Sequence, residues 1–221
     1  MKRIARSLTL WSLAALLAAC ATVQPTETIG PNDPAALAAI RAAYVKAGQQ
    51  RSFRARMTSE SSGKVHESTI EYASPASIHM RSKTDNMEMI AIAGTQYIKG
   101  SDGKWARMPI ATANLVEQFR KDPEAIAAFE RTVSGAQVVG PDMVGSQRAT
   151  AYRFHQAAKI AGGLASSTGW VKLWVGSNGL PLKAESDGTA QVLGLFGGGK
   201  SKTTILYEDY GAPIRITAPA L

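Results

Sequence analysis

Apolar residues recur every three to four positions at Leu37, Ile40, Tyr44 and Ala47, in a run that opens on Asp33-Pro34 and stops at Gly48. A carboxylate able to accept from the first free amides, followed by a proline that has no N–H to lose, predicts a helix beginning at Pro34. From Ser52 the period falls to two. Phe53, Ala55 and Met57 alternate with Arg54 and Arg56, as in a strand with one face covered. The same alternation predicts strands over 64–72, 76–83, 87–93, 95–99 and 104–108, divided by Ser62-Gly63, Ser74-Pro75, Asp85-Asn86, Gly94 and Asp102-Gly103. Connections this short imply an antiparallel meander. Helical spacing then returns over 111–119 and again after Asp122-Pro123, where Ile126, Phe129 and Val133 would share a face. Further strands are predicted at 136–139, 148–155, 170–175, 181–186, 189–193, 203–207 and 214–217, with Asn178-Gly179 as a hairpin turn.

Strands in this number with two or three helices predict an α+β fold. A sheet of about ten strands tends to curl, and helices gathered on one side pack into its concave face. The expected architecture is a strongly curved antiparallel sheet, an open and incomplete β-barrel wrapped over the helices.

The N-terminus changes the picture. Lys2, Arg3 and Arg6 precede an apolar stretch from Leu8 to Ala19, and small residues lead to Cys20, the one cysteine of the 221 residues. This is the layout of a secretory signal ending in a lipobox, with cleavage before Cys20 and attachment of diacylglyceryl and fatty acyl (palmitate-type) groups there. Residues 1–19 are read as signal peptide, 20–31 as lipidated cysteine and Pro/Thr-rich tether, and 32–221 as one domain. Removing 1–19, with three basic residues and no acidic one, brings the formal charge from +8 to +5. The remaining basic residues are scattered. That distribution is compatible with anionic headgroups and excludes a nucleic-acid footprint as the leading function. With Cys20 committed to lipid no disulfide is available, so apolar burial must hold the fold.

Two motifs match catalytic patterns without their context. Gly194 to Ser201 fits G-x-x-x-x-G-K-S, but the chemistry needs a following helix, and Thr203-Thr204-Ile205-Leu206-Tyr207 reads as strand. A glycine hairpin tip, or an apolar contact loop formed by Leu193, Leu195 and Phe196, fits better. Ser61-Ser62-Gly63-Lys64 fits S-x-x-K but falls in a turn rather than a helix. His66, His79 and His155 are isolated, and no metal-ligand spacing, cofactor motif or catalytic constellation emerges. The apolar alternation is the more telling set. Met57, Met80, Met89, Tyr97, Tyr152 and Trp174 are taken as the inward lining of a cavity, methionine being an adaptable surface for an acyl chain. A filled core would carry similar stripes.

Several local motifs in sequence order carry a family resemblance: Ile70-Glu71-Tyr72, Gly94-Thr95-Gln96-Tyr97-Ile98-Lys99 leading to Gly103-Lys104-Trp105, Leu173-Trp174-Val175 with Gly179-Leu180-Pro181-Leu182, and Tyr207-Glu208-Asp209-Tyr210-Gly211-Ala212-Pro213-Ile214. The chain resembles the LolA/LolB-like superfamily of periplasmic lipoprotein carriers and acceptors, in particular its LppX/LprG-type lipoprotein branch. The resemblance implies a half-barrel enclosing an apolar cavity for lipid or lipoprotein acyl chains, with no catalysis and no cofactor. It also implies an envelope location, with a membrane anchor and an envelope protein as a possible partner. Ala21 rather than Asp after Cys20 resembles the sorting preference for the periplasmic face of the outer membrane.

Overall fold

The computed structural model describes residues 28–73, 77–92, 94–100, 102–108, 123–160, 165–192 and 196–221. Among the described residues two helices, α1 (Pro34–Gly48) and α2 (Pro123–Glu130), accompany eleven strands. These are β1 (Ser52–Ser61), β2 (Lys64–Ala73), β3 (Ser77–Ser82), β4 (Glu88–Ile92), β5 (Thr95–Lys99), β6 (Trp105–Arg107), β7 (Val133–Val144), β8 (Gln147–Ile160), β9 (Ala165–Gly176), β10 (Pro181–Val192) and β11 (Phe196–Glu208). All belong to one sheet in the order β6-β5-β4-β3-β2-β1-β11-β10-β9-β8-β7. The chain lays down β1 to β6 toward one edge, crosses to the far edge at β7, and returns strand by strand to β11, which pairs with β1. The sheet is curved and unclosed, with β6 and β7 as its edge strands among the described residues.

Local chemistry accounts for the element ends. Asp33 Oδ1 accepts from the Ala35 amide at 2.9 Å and starts α1 where the sequence predicts. Ser62 and Gly63 both take positive φ (52° and 73°), the two-residue turn that matches strand twist and joins β1 to β2. Ser61 and Lys64 are thereby cross-strand partners closing a hairpin, so the S-x-x-K spacing is a turn. At the leading end, the Asn32 carboxamide accepts from Ala136 N at 2.9 Å and donates to Val133 O at 3.3 Å, while Asp33 N donates to Ala136 O. These bonds fasten the start of α1 to the β7 edge at a bulge.

The structure departs from the sequence reading at four points. The strands expected at 181–186 and 189–193 are one strand, β10, because β9 and β11 supply ladder partners on both sides straight through Asp187-Gly188. No strand forms at 214–217. The chain turns at Asp209 (φ 55°) and Gly211 (φ 80°) and lies against the start of β1, with Gly211 N donating to Ser52 O and Ser52 Oγ to Ala212 O. Val133 does not extend the second helix face: α2 stops at Glu130 and Val133 opens β7. The glycines 197–199, expected at a hairpin tip, lie within β11, which begins at Phe196. The helix expected at 111–119 lies outside the described residues.

Candidate functional site

Because side chains alternate across a strand, the register of the ladders fixes which residues share the helix-bearing face. One row across the sheet reads Tyr152, Leu173, Ala184, Ile205, Met57, Ser68, Ser82. The next reads Tyr207, Ala55, Ile70, Met80, Met89, Ile98, Ala106, and a third reads Phe53, Tyr72, Ile78, Ala91, Gln96. On the β7 to β10 half this face is filled. Ala36, Ile40 and Ala43 of α1 are buried against Phe154, Leu173, Val175 and Ala184, and Phe129 of α2 sets its ring edge-on to Phe154 at 6.0 Å. On the β1 to β4 half Phe53, Ala55, Ile70, Tyr72, Ile78 and Ala91 form a second apolar cluster, flanked by the partly buried Met57, Met80 and Ile205. Tyr207 packs against both clusters and makes the inner face continuous.

The six residues taken as cavity lining divide by strand parity. Met57, Met80, Met89 and Tyr152 lie on the helix-bearing face, with Met80 and Met89 as direct cross-strand partners. Tyr97 and Trp174 lie on the opposite face and correct the reading of them as inward. Tyr97 is the partner of Ile90 and Arg107, one step out of phase with Ile98. Trp174 is out of phase with Leu173, 4% exposed, and packed on Ala149, Ala151 and Leu182. Its indole N–H donates to Asp142 Oδ2 at 2.8 Å, and the ammonium groups of Lys172 and Lys183 stand 4.4 and 4.6 Å from its ring centroid. The indole and the Met143 amide together hold the Asp142 carboxyl below the usual carboxylate range. A register shift between Pro181 and Lys183 turns Leu182 into this outer cluster. Of the expected contact loop, Leu193 and Leu195 lie outside the described residues, as does Cys20, and Phe196 opens β11.

The six lining candidates leave out Ile70, Ile205, Tyr207 and Tyr210, which belong to or pack against the second cluster. For Ile70, Ile205 and Tyr207 the signal is register, since each stands in a row with or next to Met57 once the pairing is known. Tyr210 closes the end of the inner face beside Phe53, its hydroxyl donating to Pro181 O at 2.9 Å. Burial raises the Tyr207 phenol from 10.0 to about 12. Burial also raises Tyr44 and Tyr210, with a further push from the neighbouring tyrosines. Unfolded tyrosine loses its proton first, so this contribution is intact below pH 10 and is lost as pH climbs from 10 toward 12. Urea midpoints should therefore hold steady to pH 10 and then fall steeply, and Tyr207→Phe should flatten that fall.

The polar groups arrange for structure. His79 Nε2 lies 2.7 Å from Glu88 Oε1, in an outer-face network with Glu71, Arg81 and Lys99. His66 Nδ1 lies 2.9 Å from Asp85, whose carboxyl is held low by that bond and by Ser82. His155 sets its ring edge-on to Trp170, beneath which Arg153 stacks at 3.9 Å. Among the described residues no group of three or more metal-ligating side chains gathers, and no helix is long and apolar enough to cross a membrane. The segment after Ser201 is strand, so the phosphate-loop pattern lacks the helix it requires.

No protein-family model and no curated protein sequence matches the chain. Solved structures do. Lipoprotein LppX of Mycobacterium tuberculosis superposes with a TM-score of 0.58 at 13% identity, over 84% of this chain and 100% of its own. LprF of Mycobacterium bovis superposes with a TM-score of 0.59, also at 13% identity, over 86% of this chain and 100% of its own. The chain has the open half-barrel fold of these two proteins, the LppX-like fold expected from the motifs.

Proposed function

We propose that the protein is an envelope lipoprotein, anchored through acyl chains on Cys20, that shelters acyl chains of a lipid or lipoprotein against the concave face of β1 to β5. The observation that carries this is the unbroken apolar ladder on that half, bordered by the flexible and partly exposed Met57 and Met80. The other half is occupied by α1, so cargo belongs with Met57, Met80, Met89, Ile70 and Ile205; Tyr152 borders it from the filled half. Binding is desolvation without chemistry, each methylene transferred gaining about 0.8 kcal/mol. Two or more acyl chains at Cys20 would hold the protein stably on a membrane, on this reading the periplasmic face of the outer membrane. The fold shared with a protein described as a lipoprotein supports the reading.

The test is native mass spectrometry of an exported Cys20→Ser form. Lipid adducts of defined stoichiometry are expected, and Met80→Glu, which places a charge in the apolar row, should lower their occupancy at least about tenfold while circular dichroism stays unchanged. A clean apo mass that also refuses added lipid would sink the carrier reading. That result would favour a filled-core interaction or sensor protein of the envelope, a reading supported by the near-complete burial of Phe53, Ile70, Tyr72 and Ile78.

A further inference from the structure

Large apolar side chains that folding leaves outside are gathered at one edge of the sheet. Of the six that stay exposed among the described residues, Val138, Val139 and Met143 stand on the edge strand β7, and Ile29 rests beside Gly135 of the same strand. Val65 on β2 and Leu221 at the C-terminus are the other two. Charge is concentrated at the same edge. Basic residues are spread along the chain, but acidic ones are not: residues 131–176 hold Asp142 against Arg131, Arg148, Arg153, Lys159 and Lys172. The net charge of this stretch is +4, against +5 for everything after residue 19, so the rest of the mature chain is close to neutral. Charges bordering the stretch pair off, Lys183 with Glu185, Lys202 with Asp187 and Arg41 with Glu130. Asp142 is engaged by the Trp174 indole and by Lys172, while Arg131 and Arg148 are exposed.

Register sorts these groups into layers. Val138 and Met143 are partners of Tyr152 and Arg148, so Arg148 sits one strand spacing behind the edge. On the opposite face of β8, Arg153 stacks 3.9 Å from the Trp170 ring centroid and has Lys172 of β9 as its partner. The Trp170 ring reaches forward to Gly135, beside Ile29. Apolar tips therefore lead, and cations and an indole follow one and two strand spacings behind, roughly 5 and 10 Å. A bilayer met edge-on presents its acyl boundary, its phosphates and its hydrated surface in that order.

We infer that the β7 edge, together with Ile29, is a contact surface for an anionic bilayer. Ile29, Val138, Val139 and Met143 enter the boundary between headgroups and acyl chains, and Arg131, Arg148 and Lys172 meet lipid phosphate. The membrane is the one that holds the chain's own anchor, so the inference rests on the anchored reading above. Nine steps of chain, at most roughly 32 Å, join Cys20 to Ile29. That length lets other faces reach the bilayer as well; exposure and charge select this one. A protein strand fits the edge less well. The ladder shifts register at two points, Pro141 has no N–H to donate, and Asn32 and Asp33 already bond to Val133 and Ala136.

The mature acylated chain, reconstituted in mixed phosphatidylcholine–phosphatidylglycerol vesicles, tests this. Cys20 is the only native cysteine and is blocked by acylation, so Val139→Cys and Val65→Cys each offer one thiol for a fluorophore. The two positions are equally exposed, at 52%, on β7 and β2. A headgroup nitroxide lipid should quench the label at 139 at least about twofold more than the label at 65. That ratio should fall toward unity in phosphatidylcholine alone, and also when Arg131→Gln and Arg148→Gln are combined, with circular dichroism unchanged. A chain that fails to float with vesicles overturns the anchored reading and the contact together. Flotation with equal or reversed quenching overturns the contact alone and leaves the β7 ladder to strand addition by a protein. A ratio indifferent to both changes overturns the anionic character assigned to the surface.

Discussion

Gly188→Val is expected to abolish stable folding, with no cooperative urea transition under conditions where the parent chain is native. Gly188 and Gly169 are cross-strand partners in the middle of β10 and β9. A methyl on Gly188 would overlap the Thr168 carbonyl oxygen and stand 2.7 Å from Gly169 Cα, and one on Gly169 would overlap the Asp187 carbonyl and stand 2.5 Å from Gly188 Cα. The obstructing atoms are backbone in both cases. A flexible side chain could swing aside, but here relief requires the two strands to part. Overpacking among side chains costs about 1–3 kcal/mol; parting a central ladder exceeds that and approaches the about 5–15 kcal/mol that holds a domain together. Gly199→Ala in β11 is the control, since its methyl meets nothing within 4 Å and should change stability by less than about 1 kcal/mol. A parent-like transition for Gly188→Val would show that β9 and β10 can separate without loss of the fold.

Phe154→Ala should lower stability by about 3–5 kcal/mol. Phe154 is fully buried beneath α1, in the cluster of Ile40, Leu173 and Val175, with Phe129 of α2 edge-on to it. Truncation leaves a void that a curved sheet on one side and a helix on the other cannot both close. Denaturant titration reads the loss directly, and Phe154→Leu, which keeps most of the volume, should cost under about 1.5 kcal/mol. The same pair separates structure from cargo binding. If lipid occupancy per folded molecule is unchanged in both variants, the α1 half is scaffold and the β1 to β5 half holds the ligand; equal loss of occupancy would merge the two.

Much of this was legible before any coordinates. The Asp33-Pro34 start, the Ser62-Gly63 turn and the period-two run from Phe53 are local signals, and local signals survive folding. What failed depended on neighbours. Asp187-Gly188 has the composition of a turn, yet strands on either side keep it extended. Ile214 to Thr217 alternates like a strand but follows a turn that lies against the start of β1, whose two sides are already taken by β2 and β11. The site was half legible for the same reason. Size and apolarity singled out Tyr97 and Trp174, but a step of one residue in phase sends a side chain to the other face. Ile98 and Leu173 beside them hold the inward positions. Register therefore decides lining, and register between distant strands is not written in either strand alone.

The placement of β1 beside β11 has a consequence for biogenesis. Every other ladder joins strands that follow one another in the chain, so each half can zip up by itself while synthesis is under way. The seam between the halves joins Arg54 to Glu208 and Ser61 to Ser201, and it must wait for the last residues to emerge. Until then two curved ribbons present raw edges to each other and to whatever surrounds them, the kind of exposed strand on which aggregation begins. The C-terminal stretch is thus the clasp of the whole molecule, and a chain clipped before it would be left as two unfastened halves.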